Sequence, residues 1–242
     1  MNILAGLKTD NTIADANESV STGSILESNL YDFTIDLAYI SKSSGGAVAL
    51  NLHLSDGGNT IRQTIYASSG DAKGNLNYYT DKKGKKQYLP GFNIANNLAL
   101  LTAGLELSEL EPEEKVVNLY DFDAGKELPT KVAALTQVMG KQVTAGVIKQ
   151  TVDKNVKTDN GYVPSGETRD ENELDRLFRT DDGLTVTEIK AKSTTPAIKE
   201  AWLTKWFEKT KMKAKGAVAG AVAGAPAAAP AATSLFGNQA NA

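Results

Sequence analysis

Residues 30–67 read LYDFTIDLAYISKSSGGAVALNLHLSDGGNTIRQTIYA, and apolar side chains alternate with polar ones in three runs, 30–40, 47–54 and 60–67. Such alternation is typical of strands with one buried face. The second and third runs are joined by Asp56-Gly57-Gly58-Asn59, a hairpin sequence. The first run carries five large side chains on one face: Tyr31, Phe33, Ile35, Leu37 and Tyr39. The stretch therefore predicts a three-stranded antiparallel meander.

Further elements are predicted downstream of the meander. A second hairpin is expected over 76–89, turning at 82–85, and a helix from its cap Asn93 to Ala103, ended by Gly104. Two strands follow at 131–138 and 142–152. Three strands, a helix and two strands are the order of an oligonucleotide/oligosaccharide-binding (OB) fold. We therefore predict a mainly β protein with accessory helices, built on a five-stranded OB barrel with a long lysine-rich hairpin insertion and a C-terminal helix.

The rest of the chain is predicted to be helical or flexible. Thr168 and Glu171 have the spacing of a capping box, which predicts a helix over 170–178. Thr195 and Pro196 predict the start of a last helix, whose Ile198, Trp202 and Trp206 share one face and favour core packing. The predicted organisation has four parts: an N-terminal extension (1–29), the OB core (30–155), a loop and helical extension (156–215) and a flexible Ala/Gly/Pro tail (216–242).

The residue content excludes many kinds of catalyst. The 242 residues include no cysteine and a single histidine, His53. Thiolate nucleophiles, sulfur-based zinc sites and multi-histidine metal sites are therefore excluded. Nucleotide-binding glycine loops, the HExxH metal motif and the GxSxG nucleophile motif are also missing from the sequence. We predict a protein that is not an enzyme and that uses no cofactor or metal.

Charge is unevenly distributed within a net charge of -3. Residues 71–92 contain five lysines and two aspartates, whereas residues 104–130 contain eight acidic residues and two lysines. The acidic stretch is expected to be a solvated excursion. The basic stretch provides the local positive potential that attracts a polyanion.

The basic stretch and the strand before it also carry several tyrosines among their polar residues. Single-stranded nucleic acid is held by lysines along its phosphates and by aromatic rings that stack on its bases. A structural alternative is that the tyrosines are core residues and that the lysines only solvate a turn. The candidate DNA-binding residues are Arg62, Tyr66, Lys73, Tyr78, Tyr79, Lys82, Lys83, Lys85, Lys86 and Tyr88.

Four segments resemble the bacteriophage-encoded single-stranded DNA-binding proteins of the replication module. They are LYDFTIDLAYISKSSGGAVALNL (30–52), YYTDKKGKKQYLPGF (78–92), GKQVTAGVIKQ (140–150) and GYVPSGETRDENELDRLF (161–178). The resemblance implies an OB-fold that coats displaced single strands during phage replication and recombination in the host cytoplasm. It also adds Lys149 to the DNA-binding residues.

The last 26 residues contain no charge and end near an apolar pair, Leu235 and Phe236. In the family that the chain resembles, such a tether commonly ends in an acidic tip that recruits replication proteins. The acids are missing here, so we expect partner docking through Leu235 and Phe236 without electrostatic competition for DNA. A homodimer is left open.

The first 22 residues have no apolar run of a secretory signal, and no segment has the roughly 20 apolar residues of a membrane span. The expectation is a cytoplasmic protein without membrane contact. Two alternative functions are kept: a phage structural or assembly protein, and a single-strand annealing protein.

Overall fold

The computed structural model describes residues 25–121, 124–158 and 161–215. The prediction of a mainly β protein with accessory helices is confirmed, because strands dominate the described residues and most belong to one large, largely antiparallel sheet. The strands are β1 (Asn29–Lys42), β2 (Val48–Ser55), β3 (Thr60–Tyr66), β4 (Tyr78–Thr80), β5 (Lys86–Tyr88), β6 (Glu113–Asp121), β7 (Lys126–Ala134), β8 (Gln142–Thr158), β9 (Gly161–Phe178) and β10 (Thr210–Met212). The helices are α1 (Pro90–Ala103), α2 (Val186–Lys190) and α3 (Ala197–Trp206), with single 3₁₀ turns at Asp71–Lys73 and Leu107–Glu109.

The predicted meander is present. Strand β2 pairs antiparallel with β1 on one side and with β3 on the other. Asp56 stabilises the turn between β2 and β3, because its Oδ1 accepts hydrogen bonds from the backbone N–H groups of Gly58 (3.0 Å) and Asn59 (2.7 Å). The core face of the meander is closed by leucines and isoleucines, including Leu50, Leu52, Leu54, Ile61 and Ile65.

Strand β1 is not regular, and this changes the predicted alternation. The pairing with β2 shifts between Ile35 and Leu37, where Ile35 is opposite Leu54 but Leu37 is opposite His53. Such a bulge adds one residue to one strand and reverses the faces that follow. Phe33 and Ile35 lie in the core as predicted, but Tyr39 lies on the opposite face.

The two halves of β1 also have different partners on their other side. Asn29–Thr34 pairs with Gln142–Val147 of β8, whereas Tyr39 and Ile40 pair with the end of β7. Strand β9 pairs with β8, so that β3 and β9 flank the remaining opening. Among the described residues no strand pairing joins β3 to β9, and the link is a hydrogen bond from Gln63 Nε2 to the Asn172 carbonyl (2.9 Å). The predicted closed barrel is therefore not observed.

Helix α1 lies between β5 and β6 and packs on the core through Ala95, Leu98 and Ala99. It begins at Pro90 rather than after Asn93, since proline is well suited to a first helical position. It ends as predicted at Gly104, whose φ of 72° is left-handed.

The acidic stretch is largely solvated, as predicted, but part of it is an ordered strand. Residues 113–121 form β6, which pairs with β7 along nine residues to make a two-stranded arm. Two of its acids are neutralised by lysines, with Glu113 at 3.2 Å from Lys115 and Glu114 at 2.8 Å from Lys131. These pairings explain how so acidic a sequence forms a strand.

The predicted helix over 170–178 is wrong. These residues lie in β9, which pairs antiparallel with β8, with Phe178 opposite Thr144 at one end of the pairing. Leu174, Leu177 and Phe178 are buried. The capping-box spacing is a local pattern, and pairing with a distant strand outweighs it. The β8–β9 ribbon also spans residue 155, where the predicted OB core ends and the predicted loop and helical extension begins.

The C-terminal helix is confirmed as α3, one residue later than predicted. Trp202 is 5% exposed and donates its indole N–H to Asp175 Oδ2 at 2.8 Å. Its ring lies over Gly146 of β8, and a second cluster forms with Ile148 and Phe178. Core packing of the tryptophan face is therefore confirmed.

Across the described ranges no group of three or more histidine, aspartate or glutamate side chains could hold a metal ion. None of the helices that the structure describes is long and apolar enough to cross a bilayer.

We predict that Gly146→Ala destabilises the fold by about 1–3 kcal/mol, the usual cost of overpacking a core. An added Cβ would lie 2.8 Å from Trp202 Cε2 and 2.9 Å from Cζ2. Urea denaturation followed by tryptophan fluorescence measures the loss. Gly58→Ala is the control, because its Cβ would have no neighbour closer than 3.8 Å. Equal unfolding midpoints for the two variants would contradict the prediction.

Candidate nucleic-acid interface

The lysine-rich hairpin is a small separate sheet made of β4 and β5, with strands of three residues each. Its turn is organised by Asp81, whose Oδ1 accepts hydrogen bonds from the backbone N–H groups of Lys83 and Lys85, both at 2.9 Å. Gln87 Nε2 donates to the other carboxylate oxygen at 2.9 Å. These hydrogen bonds, the one from Lys85 foremost, lower the pKa of Asp81. A charged Asp81 thus holds the turn in place, and the lysine side chains extend from it.

The lysines of this hairpin carry charge that the protein itself does not neutralise. In the part of the chain that the structure describes, no carboxylate oxygen lies within 4.0 Å of their ammonium groups, and all are exposed. Lys86 lies 4.7 Å from the centre of the Tyr78 ring, a cation–π distance. The set comprises Lys73, on the preceding 3₁₀ turn, and Lys82, Lys83, Lys85 and Lys86.

Three of the predicted tyrosines present their rings to solvent. Tyr66, Tyr79 and Tyr88 are 53%, 45% and 58% exposed. Tyr88 is supported from behind by Phe92, with ring centres 5.0 Å apart. Tyr78 is only half-buried, and Lys86 covers its ring. The structural alternative of tyrosines in the core does not hold for the three exposed rings.

The face of the meander opposite the core, here called the outer face, carries the remaining candidates. Arg62, Thr64 and Tyr66 project from β3, and the strand register places them opposite His53, Asn51 and Ala49 of β2. The bulge in β1 adds Tyr39, which is opposite Asn51. Thr64 Oγ1 donates to Asn51 Oδ1 at 2.9 Å, which fixes the polar centre of the face.

A cleft of about 330 Å³ separates the outer face from the β6–β7 arm. Tyr39, His53 and Arg62 line it on the sheet side, and Leu119 and Tyr120 line it on the arm side. The Tyr39 and His53 rings meet edge to face, with centres 6.4 Å apart and planes at 76°. The cleft therefore combines aromatic surface with one guanidinium group.

The two titratable rings on the sheet side of the cleft have pKa values shifted toward their uncharged forms. Burial, and then the positive charge of Arg62, lower the pKa of His53, while Asp36 and Glu127 act in the opposite direction. Burial raises the pKa of Tyr39, and Arg62 opposes that shift. The positive charge on the sheet side of the cleft therefore belongs to Arg62.

Lys149 differs from the hairpin lysines. It lies on β8 between β9 and β10, and its ammonium is 2.7 Å from Glu27 and 4.0 Å from Asp170. Its side chain is only 21% exposed. The structure does not bring Lys149 together with the hairpin, and its charge is already paired.

The residues that sequence reasoning missed are Tyr39 and Tyr120. Regular alternation along β1 predicts Tyr39 on the core face, and the bulge places it on the outer face instead. Tyr120 lies within the acidic stretch, and no local signal indicates that this stretch reaches the outer face. Leu235 and Phe236, together with residues 216–242 and 1–24, lie outside the described residues.

We predict that the pKa of His53 is below its usual value of about 6.5. Because it is the only histidine, its imidazole NMR signals can be followed against pH without assignment. Arg62→Gln should raise the pKa, and Lys83→Gln, at the hairpin tip, should not. Since the unfolded chain binds this proton more readily, the contribution of His53 to the free energy of unfolding decreases as pH falls below about 6.5. An unchanged pKa in Arg62→Gln would refute the electrostatic part of this explanation.

Comparison of the chain with known protein families, with curated proteins and with solved structures found no match in any of the three. The function of this protein is therefore inferred from its own side chains.

Proposed function

We propose that this protein binds single-stranded DNA without reading its sequence and that it is not an enzyme. Lysines of the β4–β5 hairpin would contact phosphates, and Tyr79, Tyr88 and Tyr66 would stack on bases. The observation that carries the proposal is the combination of unpaired lysine charge with exposed tyrosine rings on one small hairpin. The unpaired lysines can contact phosphates and the exposed rings can stack on bases, and a single strand offers both groups.

The distribution of charge supports this choice of ligand. Many lysines elsewhere in the described structure pair with carboxylates, including Lys131, Lys149, Lys154 and Lys211. The hairpin lysines lack such a partner, so they keep a local positive potential in a chain with a net charge of -3. Released counterions drive the binding of such a surface to phosphates.

The OB-fold assignment belongs to this proposal. The order of β1, β2, β3, α1, β7 and β8 is that of an OB fold, with β6 and β9 added as partners of β7 and β8. We further propose that the protein coats and protects displaced strands during phage replication and recombination in the host cytoplasm. Docking of phage replication or recombination proteins on Leu235 and Phe236 is part of the same hypothesis.

Titration of labelled oligo-dT at several salt concentrations tests the lysine contacts. Replacing Lys82, Lys83, Lys85 and Lys86 by alanine should weaken binding and reduce the slope of log affinity against log salt by about 0.7 per lost phosphate contact. The control replaces four exposed lysines on other surfaces, Lys154, Lys190, Lys205 and Lys215, with the same change of net charge. It should leave the slope unchanged.

Absence of oligo-dT binding at low salt would overturn the proposal and favour a structural or assembly role. Accelerated annealing of complementary strands would indicate the annealing protein instead. Both outcomes can be measured with the same labelled oligonucleotides.

Stacking is tested by Tyr79→Ala and Tyr88→Ala. Each should weaken oligo-dT binding by about 1–3 kcal/mol, the usual contribution of one stacked base, without changing the salt slope. Phenylalanine at either position should retain most of the affinity because the ring remains. Tyr162→Ala is the control, since this tyrosine is 72% exposed but lies on the β8–β9 ribbon. Equal losses for Tyr162→Ala and Tyr88→Ala would argue against specific stacking.

A further inference from the structure

The β6–β7 arm is attached to the main sheet at one end only. Its two strands pair with each other along nine residues, from Glu113↔Ala134 to Asp121↔Lys126. Its pairing with the rest of the described sheet is limited to two residues, Ala133 and Ala134, which are opposite Ile40 and Tyr39 of β1. A ribbon held by so short a ladder can bend at its base more easily than the paired strands of the main sheet.

The other end of the arm lies over the outer face. Leu119 and Tyr120 line the cleft. Glu127, the residue opposite Tyr120, is close enough to His53 for its negative charge to oppose the lowering of the His53 pKa. Leu119 and its partner Leu128 are half-buried, whereas Val116, nearer the base, is 63% exposed. The arm therefore extends from its base at Tyr39 along the outer face, and Leu119 and Tyr120 line the cleft together with Arg62.

The acidic side chains at the base of the arm are paired with lysines, whereas Glu127 at its other end lies near His53. Glu113 and Glu114 are each paired with a lysine of the arm itself. On the sheet side, Arg62 has no described carboxylate oxygen within 4.0 Å of its guanidinium group. This arrangement suits a nucleotide, because the unpaired guanidinium group can bind its phosphate and the aromatic rings can contact its base.

We propose that the β6–β7 arm is a clamp and that single-stranded DNA runs through the cleft between the arm and the outer face. This inference rests on the proposed function and adds a path for the strand. Arg62 binds a phosphate, Tyr39 and His53 contact a base, and the arm covers the strand. A circular single strand, which has no end to thread, can then enter or leave the cleft only when the arm opens at its base.

Circular single-stranded oligo-dT tests this topology. In a Leu119→Cys/Thr64→Cys variant, the two new thiols lie on opposite walls of the cleft and are the only thiols of the chain. Joining them with a bis-maleimide locks the arm shut. Locked before DNA is added, the protein should bind the circle at least tenfold more weakly than the linear oligonucleotide of equal length, which can thread by its end. Locked after loading, it should retain the circle, but not the linear form, at 1 M salt.

The matched control carries the same cross-link where it cannot enclose DNA. Lys154→Cys/Glu167→Cys joins the two strands of the β8–β9 ribbon, whose original side chains are 2.8 Å apart. This variant should treat circle and linear strand alike, before and after the reaction. Each variant is also compared with its own unreacted form, so that effects of the cysteines themselves are separated from effects of the cross-link.

The clamp is overturned if the locked protein binds the circle as it did before locking and releases it in 1 M salt. If the unmodified protein does not bind linear oligo-dT at low salt, the proposed function is overturned instead. If the cysteine variant does not fold, the unmodified protein gives a second measurement. Its dissociation from the circle should then be slower than from the linear strand, and equal rates would reject the clamp.

Discussion

The bulge between Ile35 and Leu37 is the constraint on which the rest of the structure depends. The backbone of Ile35 is held by the turn before β8, because its N–H donates to the Lys141 carbonyl at 2.9 Å and its carbonyl accepts from Gly140 N–H at 2.8 Å. Before this point β1 pairs with β8, and after it β1 pairs with β7. A bulge bends and twists a strand, which lets one strand serve two neighbours. This single strand therefore contributes Phe33 and Ile35 to the core and Tyr39 to the outer face.

The candidate interface follows from that geometry and from the placement of charge. The bulge moves Tyr39 next to His53 and Arg62, while the pairing of Ala133 and Ala134 with β1 fixes the base of the arm above the same face. Several lysines of the arm and the β8–β9 ribbon form exposed ion pairs, whereas those of the β4–β5 hairpin are unpaired beside exposed tyrosines. Because exposed ion pairs contribute little to folding, the hairpin loses little stability by leaving its lysines free for a ligand.

Much of the fold could be predicted where short-range patterns and final structure agree. The meander, the turn at Asp56, the end of α1 at Gly104 and the burial of Trp202 follow from alternation, turn chemistry, helix capping and helical spacing. The errors lie where distant pairing prevails. Residues 170–178 have a helical capping pattern but pair with β8, and the exposed acidic residues 113–121 pair with β7. A partner strand that lies outside the local window, as β8 does for residues 170–178, leaves no trace in that window.

Composition and local pattern were enough to establish a cysteine-free, one-histidine chain that excludes many catalysts, a mainly β architecture, and a basic aromatic hairpin as the candidate binding element. Only the tertiary structure decided that the sheet stays open between β3 and β9, that Lys149 is paired with Glu27, and that Tyr39 and Tyr120 face one cleft. The physical reason is range. Periodicity and turn preference act between neighbours along the chain, whereas register, ion pairing and the closure of a barrel depend on residues brought together only by folding.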